Sequence, residues 1–177
     1  MEARERLPAF EQTVLPHLDA AHNLARWLAG NDQDAQDVVQ EACLRAFKFF
    51  GGFRGDNPRA WLLAIVRNTF YTWLRQNRPA IPTVELDDAA LEVADPAAAG
   101  EALQTRQADA ETVRRAIAAL PVEFREIIVL REMEAMSYKD IAILADLPIG
   151  TVMSRLARAR KLLQKQLARE YQTGGPS

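Results

Sequence analysis

Apolar residues recur every three or four positions along most of this chain, and no stretch alternates as a half-buried strand would, so the pattern predicts an all-α fold. In the first half the periodicity marks helices at about 8–29, 33–50 and 58–77. Pro16 is expected to kink or restart the first, and Gly30-Asn31 to end it. Asp32 or Asp34 is read as the cap of the second, whose apolar face is Ala35, Val38, Val39, Ala42, Cys43, Ala46 and Phe50. Gly51-Gly52 stops that helix. Asn57-Pro58 then supplies a cap followed by proline at the first helical position, where its missing N–H costs nothing.

From Pro79 to about Gly100 the sequence turns to Pro, Ala and acids, with only scattered large apolar residues, and reads as a flexible acidic linker. A second helical unit follows. Val113, Ile117 and Leu120 mark one helix; Pro121 opens another with Phe124, Ile127, Ile128 and Leu130 on its buried face. Two small helical domains are therefore expected, at about 1–79 and 103–172, joined by residues 80–102.

The C-terminal domain ends in a helix-turn-helix pattern. Ser137 with Asp140 is a capping-box pair that starts a short helix through Ile141 and Leu144. Asp146-Leu147-Pro148 breaks it, and a long helix runs from about Ile149 to Glu170. At about 100° per residue, Val152, Leu156, Ala159, Leu163 and Leu167 fall on one arc. Thr151, Ser154, Arg155, Arg158, Lys161, Lys165 and Arg169 fall on another, and no acid lies between Arg155 and Arg169. Hydroxyls and arginines at the start of such a helix suit base edges, and the later cations suit phosphates. A basic amphipathic helix also suits a membrane surface or an acidic partner, but neither needs the short capped helix and tight turn in front of it.

Charge changes the picture through its distribution. The net charge is only −2, yet the stretch from Pro79 to Thr112 carries −7 and everything from Val113 onward carries +4. The DNA-reading face is thus local, and the whole chain should bind free DNA weakly. A lone cysteine, Cys43, excludes an intramolecular disulfide and, lying on an apolar helix face, reads as core filler. No signal peptide or membrane-length apolar run occurs, so the protein is expected to be cytoplasmic, without membrane insertion.

Three features of the first domain call for explanation. The polar face of the second helix (Asp34, Asp37, Gln40, Glu41, Arg45, Lys48) runs from acid to base; acids near a helix start are favourable by themselves, and a docking surface for a basic partner is the alternative. Phe53–Trp61 is a glycine-containing loop entering the proline-started helix. Arg54, Arg59, Arg67, Asn68, Arg75 and Arg78 mix with Trp61, Tyr71 and Trp73, a combination that suits unpaired nucleic acid, although the aromatics read first as core. Enzyme chemistry finds no support: there is no phosphate loop, no HExxH and no cysteine cluster. His17 and His22, five apart, point to different helix faces and do not suggest a shared metal. No cofactor is expected.

Three segments, DAQDVVQEACLRAFKFF, FRGDNPRAWLLAIVRNTFYTWLRQNR and LPVEFREIIVLREMEAMSYKDIAILADLPIGTVMSRLARARKLLQ, together resemble the extracytoplasmic function (ECF) class of bacterial sigma factor. The resemblance covers nearly everything outside the linker and the termini. It implies a subunit that binds core RNA polymerase, recognises the −35 and −10 promoter elements, and helps open DNA. By position it assigns Asp37, Val38, Gln40 and Glu41 to the helix that docks on the clamp coiled coil of the β′ subunit. Arg54, Gly55, Asp56, Asn57 and Trp61 match the loop that captures a flipped −10 base, and Asn68 a position beside unpaired non-template DNA. Thr151, Ser154, Arg155 and Arg158 match the −35 reading face, with Arg160 and Lys161 nearby for phosphate. An anti-sigma factor is the further partner implied.

This sequence departs from the resemblance in places. Met153 stands where many relatives carry Lys or Arg, Asp146 replaces the usual turn glycine, and the loop before Trp61 is one residue shorter than in some members. Two rivals remain: a sigma-like mimic that only sequesters an anti-sigma factor, which would not need the cations of the last helix, and a stand-alone helix-turn-helix regulator, for which no dimer seam is visible.

Overall fold

A computed structural model describes residues 3–77 and 109–173, all helix and short connections; the segment read as a linker, 80–102, lies outside them. The chain forms two compact units, Met1–Pro82 and Thr83–Ser177.

In the N-terminal unit, α1 (Ala3–Val14) leads through a tight turn at Leu15–His17 into α2 (Leu18–Ala29), α3 (Asp32–Phe49) and α4 (Pro58–Asn77). The helices α2, α3 and α4 each pack on the other two. Leu24, Leu28, Val38, Ala42, Leu62, Leu63, Val66 and Phe70 fill the centre, each at most 2% exposed. The expected break at Pro16 is a full separation, because proline removes one donor and also disfavours helix at Leu15. The first helix starts five residues earlier than its pattern suggested. Pro8, which resembles a helix start, lies inside α1. The extra turn is held from outside: the Arg6 guanidinium donates to the carbonyls of Phe47 and Lys48 at 2.6 and 2.7 Å, satisfying the C-terminal end of α3.

Gly30 closes α2 at φ +85°, a left-handed conformation that glycine adopts without steric cost. The cap of α3 is Asn31, not Asp32 or Asp34: its Oδ1 accepts from the Asp34 N–H at 2.9 Å while its Nδ2 donates to the Asp34 carboxylate at 2.7 Å. Asp32 instead pairs with Arg26 at 2.6 Å. Asn57 caps α4 as expected, its Oδ1 accepting from the Ala60 N–H at 3.1 Å. Cys43 is half-buried, and burial pushes its thiol pKa up, which suits packing rather than reactivity.

The C-terminal unit comprises α5 (Ala110–Ala118), α6 (Val122–Ile128), α7 (Tyr138–Ala145) and α8 (Ile149–Thr173). The long α8 packs on the other three, through Val152, Leu156, Ala159, Leu163 and Leu167, all at most 6% exposed. Beyond Ile128 the backbone of α6 widens into a π-turn, Val129–Met133, where the Glu134 N–H reaches the Val129 carbonyl at 3.0 Å. The periodicity did not announce this turn. It keeps Val129 and Leu130 in the core, each fully buried, while carrying Glu132 to the side of α8.

Candidate nucleic-acid interface

The helix-turn-helix forms as its residues dictate. Ser137 Oγ accepts from the Asp140 N–H at 3.0 Å, capping α7. Asp146 ends α7 in left-handed backbone (φ 55°, ψ 51°), so the aspartate tolerates the conformation a glycine would adopt. The Leu147 N–H returns to the Ala142 carbonyl at 2.9 Å, and after Pro148 the chain enters α8. The start of α8 is thereby fixed on both sides of the turn, which a helix meeting base edges at its N-terminal end requires.

On α8, Thr151, Ser154, Arg155 and Arg158 are partly exposed and Lys161, Lys165 and Arg169 exposed. Their roles differ once atoms are considered. Ser154 Oγ donates back to the Gly150 carbonyl at 2.9 Å, which leaves its lone pairs to accept from outside. Arg158 lies over the Phe124 ring, 5.4 Å from its centroid, so its guanidinium is steadied by an aromatic face of the unit's own core. The Nε of Arg155 is enclosed without a hydrogen-bond partner.

Arg160 corrects the sequence expectation. It is 6% exposed and sends Nη2 and Nε to Glu132 Oε1 at 2.6 and 3.2 Å, tying α8 to the π-turn. A side chain turned into the fold in this way is unavailable to phosphate. On the helical wheel Arg160 falls next to the core arc, and only the family resemblance assigns it to phosphate.

In the N-terminal unit, α3 presents Asp37, Gln40 and Glu41 to solvent, while Val38 is 1% exposed and belongs to the core. Val38 therefore packs inward and, with Asp37 and Glu41, lines the groove beside α4. Glu41 pairs with Arg45 at 3.3 Å and stays about half exposed. Leu44 stands one turn beyond Gln40 and Glu41 and is 67% exposed, an apolar side chain in the middle of a polar stripe. Its spacing of four from Gln40 and three from Glu41 is the signal that puts it on that stripe. Alongside, Asp37, Glu41 and Arg45 of α3 face Thr72, Trp73 and Gln76 of α4 across a groove of about 370 Å³.

The loop before α4 is exposed at Arg54, Gly55, Asp56 and Asn57. Its two ends are held by aromatic rings. Phe53 and Trp61 sit 4.9 Å apart between centroids, and both contact Phe50, which in turn meets Phe10 edge-on at 5.5 Å. Trp61 is half-buried in this cluster and Asn68 is exposed on α4. Phe70 and Trp73 stack at 6.0 Å, so these aromatics are packed, as their helical spacing suggested. Arg67 lies 4.8 Å from the Tyr71 ring centroid. Among the described residues no group of three or more His, Cys, Asp or Glu could hold a metal, and no helix is long and apolar enough to cross a membrane.

Residues 13–79 match the family model for sigma-70 region 2, and residues 110–163 the model for sigma-70, region 4. An RNA polymerase sigma-H factor of Pseudomonas aeruginosa is 37% identical over 166 residues, 90% of this chain and 86% of its own length. An ECF RNA polymerase sigma-E factor of Escherichia coli (strain K12) is 34% identical over 145 residues, 76% of this chain and 74% of its own. The chain belongs to the ECF sigma factors of the sigma-70 family. Two solved structures carry the likeness into three dimensions. One is the sigma factor RpoE in complex with the anti-sigma factor NepR from Bartonella quintana, with a TM-score of 0.67 and 29% identity, covering 90% of this chain and 97% of that one. The other is CnrH in complex with the cytosolic domain of CnrY, at 0.63 and 27%, covering 92% and 90%. As an ECF sigma factor the protein is a transcription initiation factor, and the α8 surface lies within its region 4, the α3 and loop surfaces within its region 2.

Proposed function

We propose that this ECF sigma factor binds core RNA polymerase by laying the exposed α3 face, Asp37, Gln40 and Glu41, on the clamp coiled coil of the β′ subunit. Promoter DNA is then read at two places. Arg54 to Asn57, with Trp61 at the loop's far end and Asn68 on α4, engages the −10 element and its unpaired strand. Thr151, Ser154, Arg155 and Arg158 meet the −35 duplex, with Lys161 on phosphate. Each unit contributes one modest contact, and polymerase makes them effective by holding both at once. An anti-sigma factor restrains the protein until it is needed, a reading supported by the partners in the complexes of RpoE and CnrH. Such a factor works in the cytoplasm.

The observation that carries this reading is the pairing, in one chain, of a region 2 match with an exposed acidic α3 face and a region 4 match with a hydroxyl-and-cation face on α8. The test is transcription in vitro with core polymerase on a promoter library, with and without this chain. Transcripts that depend on it and start downstream of a shared bipartite motif are the expected result. Tight operator binding without core would favour a stand-alone regulator, and capture of an anti-sigma factor without any transcript would favour the sequestering mimic.

A further inference from the structure

The first turns of α8 carry an apolar feature that the polar reading face leaves unexplained. Met153 is 37% exposed although its neighbour Val152 is fully buried and Leu156 is 1% exposed. At about 100° per residue it falls between the buried arc and Lys161, on the flank of the exposed face. One turn earlier Ile149 is apolar and 51% exposed, and two other neighbours along the helix are small. Gly150, one turn earlier, has nothing within 4 Å of where a Cβ would be, and Ala157, one turn later, offers only a methyl. The thioether therefore projects, beside Ile149, from an uncharged stretch of the helix. From Ile149 to Ser154 the helix holds no charged group, and the Ser154 hydroxyl donates inward to the Gly150 carbonyl.

In the major groove such an apolar surface has one good complement. Guanine, adenine and cytosine present donors and acceptors there, which an apolar side chain desolvates without replacing; thymine adds a 5-methyl group. Methionine is unbranched and polarizable, so it adapts its reach to that methyl. We infer that Met153 is a specificity-determining residue of this sigma factor, packing on the 5-methyl of a thymine in the −35 duplex and selecting a T·A pair at that position. The inference rests on the proposal that α8 reads the −35 element, and it adds an apolar contact to a surface otherwise made of hydroxyls and cations.

The test uses holoenzyme, core polymerase with the full chain, on a promoter chosen from a random library by chain-dependent transcription. Each thymine of its −35 element, on either strand, is replaced in turn by deoxyuridine, which keeps every hydrogen bond and lacks only the methyl. One replacement is expected to weaken holoenzyme binding by about fourfold, the worth of one buried methyl. The same replacement should cost Met153→Ala less than twofold, while Met153→Leu keeps the discrimination. Because Met153 lies outside the core, the alanine variant should melt with the parent, which separates recognition from folding. A −35 element without thymine, no deoxyuridine effect, or an effect undiminished in Met153→Ala would each overturn the inference while leaving the sigma reading intact. Failure to obtain any chain-dependent transcript would remove both.

Discussion

Arg160 offers the sharpest test of how α8 divides its cations between the fold and DNA. Its side chain is 8% exposed and holds Glu132, which is 45% exposed, at 2.6 Å. In Arg160→Ala the released carboxylate rehydrates, so the ion pair itself is worth about 1 kcal/mol rather than the larger figure of a fully buried pair. The buried stem loses two methylenes at roughly 0.8 kcal/mol each. The C-terminal unit should therefore lose about 2–3 kcal/mol of stability, and Arg160→Met, which keeps the stem, should recover about half of it. The chain provides its own separation of signals: its three tryptophans, Trp27, Trp61 and Trp73, all lie in the N-terminal unit. In urea, far-UV circular dichroism should move to a lower midpoint while the tryptophan fluorescence transition stays in place. Under conditions where the variant is folded, the salt dependence of holoenzyme binding to promoter should be unchanged. Lys161→Ala should do the reverse, reducing the slope of log K against log[salt] by about 0.9 without moving either midpoint. If Arg160→Ala left the unfolding midpoint alone and lowered that slope, the guanidinium would be on phosphate and the geometry argued above would be wrong.

Glu41→Lys should weaken association with core polymerase by about tenfold or more, through like-charge repulsion at the docking face, with unaltered circular dichroism; equal affinity by fluorescence anisotropy removes α3 as the docking surface. Arg158→Ala should cost about 1–3 kcal/mol on the preferred −35 element and much less on elements altered at the contacted pair, whereas an equal loss on every sequence in a binding series would mean phosphate contact alone. Asp146→Gly should stabilise the C-terminal unit by up to about 1 kcal/mol, since the left-handed backbone there suits glycine better than aspartate; a lower melting temperature would show that the aspartate side chain contributes more than its backbone costs.

Much of the fold was legible because helical periodicity and punctuation agreed. Gly30, Asn57-Pro58, Pro121 and Ser137 each act locally, through left-handed backbone, a missing N–H or a side-chain cap, and local chemistry is what a sequence displays. The core arc of α8 was legible for the same reason. What the pattern missed depends on partners far along the chain. The first turns of α1 are held by Arg6 reaching the end of α3, 41 residues away. Arg160 owes its partner to Glu132, 28 residues earlier, which no local pattern displays. The choice of Asn31 as cap had a different cause: Asn31, Asp32 and Asp34 could all have served, and Asp32 is drawn aside by Arg26. The burial of Val38 was readable from its own apolar arc, and the family resemblance assigns it only to the docking helix.

The rings at either end of the Arg54–Asn57 loop have a consequence for any strand that meets it. With Phe53 and Trp61 clasped together and braced by Phe50, only a handful of backbone residues between them remain free to wander. Ordering an untethered loop costs about 1–2 kcal/mol per residue, and here much of that entropy is already surrendered when the domain folds. An extruded nucleotide would thus encounter a cradle prepared in advance, so the energy of gripping it goes toward keeping the duplex apart rather than toward quieting the protein.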